Sequence, residues 1–264
     1  MDVTELYRLG RLLAKEIGGI RLIPNEEQAL GKGASGDKTF PIDKRAEDII
    51  INYLESLNFP MSVISEEIGS KDIRGGGQLK ALIDPIDGSK NAINGIPFYC
   101  SSIALLNGER IGDVFMSLVV NLTTGDCFVA KKGEGAFFND KRIFTQRDNN
   151  TNLLSFEAQN PQRDISKILK LMSCFRRVRC LGATALDMAY TAYGAISVFI
   201  TPAPSRSFDF AGGWLLVKEA GGIVTDTEGK DIDDLEIGIK KSIPIVASAN
   251  TNIHLQILKV LNEG

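Results

Sequence analysis

Leu6, Leu9, Leu12, Leu13 and Ile17 recur at helical spacing behind Asp2 and Glu5, a capping-box pair, until Gly18-Gly19 stops them. That pattern predicts an amphipathic helix packed on the core. A second helix is predicted after Pro41, with Ile42, Ala46, Ile49, Ile50, Tyr53, Leu54 and Leu57 on its apolar face and Asp43 in its first turn. MSVIS at 61–65 reads as a strand running into Glu66-Glu67, and 68–78, with its glycine triplet, reads as a loop. Leu79, Ala81, Leu82 and Ile83 form a short apolar strand that ends abruptly at Asp84-Pro85. From 98 to 144, β-rich runs separated by NGE, NLTTG, KGEG and ND predict an antiparallel meander. Beyond 152 the pattern alternates: strand, helix, strand, helix, strand, helix, two strands and a final helix. QRDNNTN at 146–152 has no apolar residue, so the boundary between an α+β half (1–147) and an α/β half (148–264) is placed there.

The chain of 264 residues is 44% hydrophobic and 24% charged with a net charge of −3, the balance of an ordinary globular protein. Slight acidity disfavours nucleic acid or a membrane surface as the main partner, and no apolar run is long enough to span a bilayer. The four cysteines form no C-x-x-C pair and no signal-peptide pattern is present, which predicts a cytoplasmic protein. With His254 as the sole histidine, histidine triads and histidine-rich zinc sites are nearly excluded. The catalytic base is therefore expected to be a carboxylate.

The chemistry concentrates in LKALIDPIDGSKN, residues 79–91. Asp84 and Asp87, three apart across a proline turn, can face one small volume, where repulsion is costly unless a cation lies between them. Gly88 lets the backbone approach a ligand and Ser89 can open a helix whose amides receive an anion. Alone, Asp-Pro-x-Asp-Gly is also a plain β-turn. Further carboxylates at element ends favour the metal reading: Glu66, with Glu67 behind it because neighbouring strand side chains diverge, and Asp209, which opens a helix after RSF. For Asp43, helix capping suffices as an explanation. The glycine-rich stretch 31–40 is either a linker or a lid carrying Lys32 and Asp37.

SEEIGS (65–70), IDPIDGSKN (83–91) and FDFAGGWLLVKEAGG (208–222), with GATALDMA (182–189) as a looser fourth match, resemble the motifs of the inositol monophosphatase superfamily, in the same order and across nearly the whole chain. The resemblance implies an αβαβα layered sandwich, the sugar phosphatase fold, and a lithium-sensitive hydrolase, dimeric by family habit, that uses two to three Mg²⁺ ions to cleave a phosphomonoester of a polyol or sugar. Carried over residue by residue, it places Glu66, Asp84 and the Ile86 carbonyl at one ion, Asp84, Asp87 and Asp209 at a second, and Glu66 again near a third. Ser89 and Asp43 would orient the attacking water, which raises Asp43 from cap to catalytic candidate. Amides of Gly88, Ser89 and the turn Gly182, Ala183, Thr184 would receive phosphate and substrate. Asp37 would contribute to the third ion when the 31–40 loop closes.

Substrate choice follows the departures from the pattern. The glutamate that animal inositol monophosphatases carry before the W-D aspartate is absent from TPAPSRSFD, where Pro202 lies near that place, and Phe208 replaces the tryptophan. The GIPFY run at 95–99, the short 31–40 loop, Arg206 and Arg179 resemble the archaeal and bacterial branch, in which inositol monophosphatase and fructose-1,6-bisphosphatase activities coexist. The two arginines are either a second-phosphate site or ordinary surface charge. Two alternatives stand beside this reading: an adenosine 3′,5′-bisphosphate 3′-phosphatase, and a non-catalytic metal or phosphate-ligand binding module. Lys90 is expected in solvent, Trp214 in the core and Cys100 and Cys174 as structural thiols, and His254 without a catalytic role. Asp187 either bonds a substrate hydroxyl or nearby backbone.

Overall fold

The computed structural model describes residues 2–20, 22–24 and 28–262. Helix α1 (Val3–Ile17) is N-capped by Asp2, whose Oδ1 accepts the Glu5 amide at 3.0 Å, while the Glu5 carboxylate, expected to complete a capping box, instead pairs with Arg8 and accepts the Tyr53 hydroxyl at 2.6 Å. Its Leu6, Leu9, Leu13 and Ile17 are fully buried, which stabilises by about 2 kcal/mol each. Two short strands, β1 (Gly31–Lys32) and β2 (Lys38–Thr39), pair as a hairpin, and α2 (Pro41–Ser56) follows directly. The 31–40 stretch, read from sequence as a linker or a lid, thus forms a hairpin.

A large sheet follows: β3 (Met61–Ser65), β4 (Gly69–Ile73), β5 (Leu79–Asp87), β6 (Cys100–Asn107), β7 (Val114–Asn121), β8 (Cys127–Lys131), β9 (Gly135–Phe138) and β10 (Lys141–Ile143). Their spatial order is β10-β9-β8-β7-β6-β5-β3-β4, and only β3 and β5 run parallel. The meander from β6 to β10 is as the sequence predicts, whereas β4 occupies what reads as a loop. GSKDI pairs along β3 as an edge strand with three consecutive exposed residues, so it lacks the alternation that marks a strand. The short α3 (Ser89–Ile93) lies between β5 and β6.

The second sheet holds β11 (Leu153–Phe156), β12 (Arg177–Arg179), β13 (Val198–Ser205), β14 (Ile223–Asp226) and β15 (Ile243–Ser248), in the order β12-β11-β13-β15-β14. Helices α4 (Pro161–Met172), α5 (Thr184–Ala192), α6 (Ser207–Glu219) and α7 (Thr251–Asn262) alternate with these strands. Helices α1 and α2 cover one face of the large sheet; α5 and α6 fill the space between the sheets, and α4 and α7 cover the outer face of the second. The result is an αβαβα sandwich. No helix of the described residues is long and apolar enough to cross a membrane.

Helix α6 is apolar all round and buried from Phe210 to Val217, as a helix between two sheets must be. Its glycine pair permits the approach: a Cβ on Gly212 would lie 2.6 Å from Ser102 Oγ, and one on Gly213 2.5 Å from Met188 Cβ. Trp214 is 2% exposed, so its expected core role holds. The same buried layer, from Leu82 through Phe199 to Trp214, joins residues of both sheets into one core.

Candidate active site

Strand β5 carries the motif through a bulge rather than ending before it. Asp84 pairs with Ser102 and Asp87 with Cys100, so three steps along β5 match two along β6. Residues three apart in a regular strand face opposite sides; the extra residue at Pro85-Ile86 turns Asp84 and Asp87 toward the same side. Ser101 Oγ, 2.5 Å from the Pro85 carbonyl, secures the bulge. Gly88 then takes a left-handed φ of 89° that a side chain would strain, and the chain turns into α3.

A cleft of about 510 Å³ opens above this turn, lined by Glu66, Asp84, Ile86, Asp87, Ser89 and Asp209 together with the hairpin and the start of α5. Glu66 stands in the turn after β3. Glu47, fully buried on α2, pins that turn by accepting from the Ser65 hydroxyl at 2.6 Å and the Ile68 amide at 3.0 Å. Glu66 and Glu67 both line the cleft, so strand alternation does not separate them: β3 has already ended at Ser65. Glu67 also accepts the Thr39 hydroxyl of the hairpin. Asp209 sits at the third position of α6 and accepts the Arg206 amide at 2.9 Å, so the carboxylate that faces the cleft also caps its helix.

Asp43 repeats that arrangement on α2, its Oδ2 accepting the Phe40 amide at 2.7 Å while Oδ1 lies 2.8 Å from Ser89 Oγ. Capping and pairing with Ser89 are therefore simultaneous. Asp87 Oδ2 accepts the Ala185 amide at 2.6 Å, so the first turn of α5 is already engaged by this carboxylate. Gly182 and Thr184 line the cleft, and Ala183, 1% exposed, lies behind them against Gly88. Asn91 ties the two motifs together by donating to the carbonyls of Phe98 and Leu181, each at 2.7 Å.

Electrostatically, the cleft is a set of acids that resist ionising together. Burial, then Asp209, pushes the Glu66 carboxyl well up; burial, then Glu66, does the same for Asp84; burial, then Asp209, raises Asp87 to about 8. Burial also raises Asp43 to about 6 and Glu67 to about 7, against hydrogen bonds from Phe40 and Thr39 that pull the other way. Asp84 Oδ1 is buried without a hydrogen-bond partner, a costly state for a carboxylate oxygen. Among the described residues no three such side chains form a closed cage around one point. Mg²⁺ keeps several waters in place and does not require a closed all-protein cage, so carboxylates spread along one cleft can serve it. The all-oxygen donor set, the mutual repulsion and the orphaned Asp84 oxygen fit a hard divalent cation.

Two residues singled out in the sequence do not line the cleft. Arg179 does not line the cleft: it is exposed on the edge strand β12, with Nη1 on the Val178 carbonyl at 2.9 Å. Asp187 is fully buried behind the cleft, accepts the Ser155 hydroxyl at 2.6 Å and does not line the cavity. Arg206 lines the cleft but is 8% exposed, not a surface charge. Lys90 is exposed at the rim, 5.3 Å from the Phe40 ring. Sequence reading passes over Glu157, which lines the cleft from the end of β11 with a buried, unpartnered Oε2. Its one signal is an acid closing the apolar run LLSF.

The model of the inositol monophosphatase family matches residues 2–263. The fructose-1,6-bisphosphatase/inositol-1-monophosphatase of Methanothermobacter thermautotrophicus is 36% identical over 239 residues, covering 87% of this chain and 85% of that protein. A bifunctional NADP phosphatase/NAD kinase of Methanococcus maripaludis is 33% identical over 98% of this chain, which spans 49% of that longer protein. Among solved structures, an inositol monophosphatase-fructose 1,6 bisphosphatase superposes with a TM-score of 0.85 at 30% identity, over 98% of this chain and 100% of that one. With the fold, the ordered motifs and the acid-lined cleft in agreement, this chain belongs to the inositol monophosphatase family of phosphatases.

Proposed function

We propose that the protein is a Mg²⁺-dependent phosphomonoesterase acting on inositol monophosphate, fructose 1,6-bisphosphate or both. The observation that carries this reading is the convergence of Glu66, Asp84, Asp87 and Asp209 on one cleft, with Asp84 Oδ1 buried and unpartnered beside the Ser89–Asp43 pair. Glu66, Asp84 and the Ile86 carbonyl would hold one ion and Asp84, Asp87 and Asp209 a second, with Glu66 available to a third. Bound there, magnesium supplies a water acidified toward neutrality and offsets charge on the phosphoryl group and leaving oxygen.

The chain's own groups do the positioning. Asp43, held by the Phe40 amide, accepts the hydrogen bond of the Ser89 hydroxyl and leaves a lone pair of Ser89 Oγ aimed to accept a hydrogen bond from the attacking water. Gly88 lets the backbone approach the phosphate, and Gly182 and Thr184, whose turn packs against Gly88, line the cleft beside it for the substrate. No side-chain nucleophile is required, since placement and charge neutralisation carry most of a phosphoryl transfer.

The names of the relatives support the two sugar phosphates, and one of them supports a second reading, removal of a phosphate from a nucleotide ribose. Phosphate release from inositol 1-phosphate, fructose 1,6-bisphosphate, NADP and adenosine 3′,5′-bisphosphate, with magnesium and after chelation, separates these. Magnesium-dependent turnover of either sugar phosphate is expected. Turnover of the nucleotides alone would favour the second reading, and silence on all four despite bound magnesium would leave a binding module.

A further inference from the structure

The turn of the β1–β2 hairpin joins two carboxylates that enter the cleft from different elements. On one side the Ser35 amide donates to the Glu66 carbonyl at 3.1 Å and the Ala34 amide to the Glu67 carbonyl at 2.9 Å, with Ser35 Oγ 3.4 Å from Glu66 Oε1. On the other side stands Arg206. Its backbone N–H donates to Asp209 Oδ2 at 2.9 Å, and its guanidinium Nη2 reaches the Ser35 carbonyl at 3.2 Å and Asp37 Oδ2 at 2.7 Å. Asp209, Arg206, Ser35 and Glu66 thus form one hydrogen-bonded chain across the cleft.

The arginine in this chain is 9% exposed along its side chain, whereas Asp37 is 61% exposed. An arginine buried to that degree and paired on two sides is committed to the hairpin; it is not a free cation awaiting a second phosphate. The Phe208 ring, 5.8 Å from the guanidinium carbon, limits its other orientations.

We propose that Arg206 is a positioning residue which, through the turn Ser35–Asp37, sets the placement of Asp209 relative to Glu66, so that hairpin anchoring and divalent-cation affinity are a single coupled property. This rests on the reading that those carboxylates hold magnesium. Linkage makes the coupling reciprocal: whatever factor the anchored hairpin adds to cation affinity, the bound cation adds to hairpin anchoring. A lysine at 206 keeps the charge but loses the planar guanidinium whose Nη2 reaches the Ser35 carbonyl and the Asp37 carboxylate at once.

The test combines amide hydrogen exchange of residues 33–37 with calorimetric Mg²⁺ binding, on the wild type, Arg206→Lys and Asp37→Asn, with and without magnesium. In the wild type, magnesium is expected to slow exchange of the hairpin amides. Arg206→Lys is expected to speed their exchange without metal and to weaken Mg²⁺ binding, each by about tenfold, with Asp37→Asn intermediate. Wild-type exchange and wild-type Mg²⁺ affinity in Arg206→Lys would overturn the proposal. If that variant does not fold, the same result in Asp37→Asn, whose substituted group is exposed, overturns it equally. A wild type that binds no magnesium would instead overturn the proposed function, and this coupling with it.

Discussion

Ser89 Oγ lies 2.8 Å from Asp43 Oδ1 and 2.8 Å from the Ile86 carbonyl oxygen, and a hydroxyl has one proton to give. Donation to the carboxylate is the stronger bond, and it leaves the carbonyl lone pairs for a cation. Asp43→Asn removes that acceptor charge while its remaining oxygen can still cap α2. Expected is a fall in kcat of about 10²- to 10⁴-fold, with Mg²⁺ affinity by calorimetry changed less than about threefold and stability within about 1 kcal/mol. A variant that stayed active would remove Asp43 from the catalytic pair.

Magnesium binding should release protons. Without metal, Asp87 and Glu67, raised to about 8 and about 7, hold much of their proton at pH 7, and a divalent cation expels it. Apparent Mg²⁺ affinity therefore rises with pH between about 6 and 9. Calorimetry at pH 7 in buffers of different ionisation enthalpy should report on the order of one proton released, and fewer at pH 9. Identical heats in all buffers would contradict the raised carboxyl pKa values.

His254 predicts an acid-sensitive fold. It is 3% exposed between Ser248 Oγ at 2.9 Å from Nδ1 and Thr225 Oγ1 at 3.0 Å from Nε2, and burial depresses it from 6.5 to about 4. The Thr225 hydroxyl donates to the Asp226 carbonyl, so it accepts from Nε2–H. With its pKa depressed, the ring is neutral at pH 7 and Nδ1 accepts from the Ser248 hydroxyl. The unfolded chain binds the extra proton first, so this stabilisation is present above pH 6.5 and is lost as pH falls toward 4, by at most about 3 kcal/mol. The cleft acids, raised in the folded state, gain stability on acidification when metal is absent, which is the opposite sense. Denaturant unfolding of the wild type against His254→Gln from pH 7 to 4 isolates the histidine: the wild type should lose more.

Gly213→Ala would place a methyl 2.5 Å from Met188 Cβ, between α6 and α5. Displacing α6 is expected to cost about 1–3 kcal/mol by denaturant unfolding and to weaken Mg²⁺ binding, because Asp209 rides on the first turn of that helix. Full stability in this variant would show that the helix–helix contact can yield.

The cleft was legible where chemistry is written into adjacent residues. Asp84, Pro85, Asp87 and Gly88 announce a turn with two acids, and Pro41 and Asp43 mark a helix start. That the turn is a bulge inside β5 was not legible, because it depends on the register with Ser102 and Cys100 of the next strand. Strand β4 hid behind its run of exposed residues, and the hairpin behind two-residue strands rich in glycine. The anchoring of Arg206 by Ser35 and Asp37 spans about two thirds of the chain, and Glu157 reaches the cleft only because β11 pairs with β13. Arg179 carried the right charge, but on the edge strand β12 and outside the residues that line the cleft.

The central claim is tested most directly by titrating magnesium into metal-free protein with saturating inositol 1-phosphate or fructose 1,6-bisphosphate, following phosphate release and bound magnesium in the same samples. Turnover absent in chelator, rising with occupancy of the cleft and lost in Asp84→Asn together with metal binding, is the predicted result. Phosphate release that persists in chelator, or that survives Asp84→Asn without bound magnesium, would contradict it.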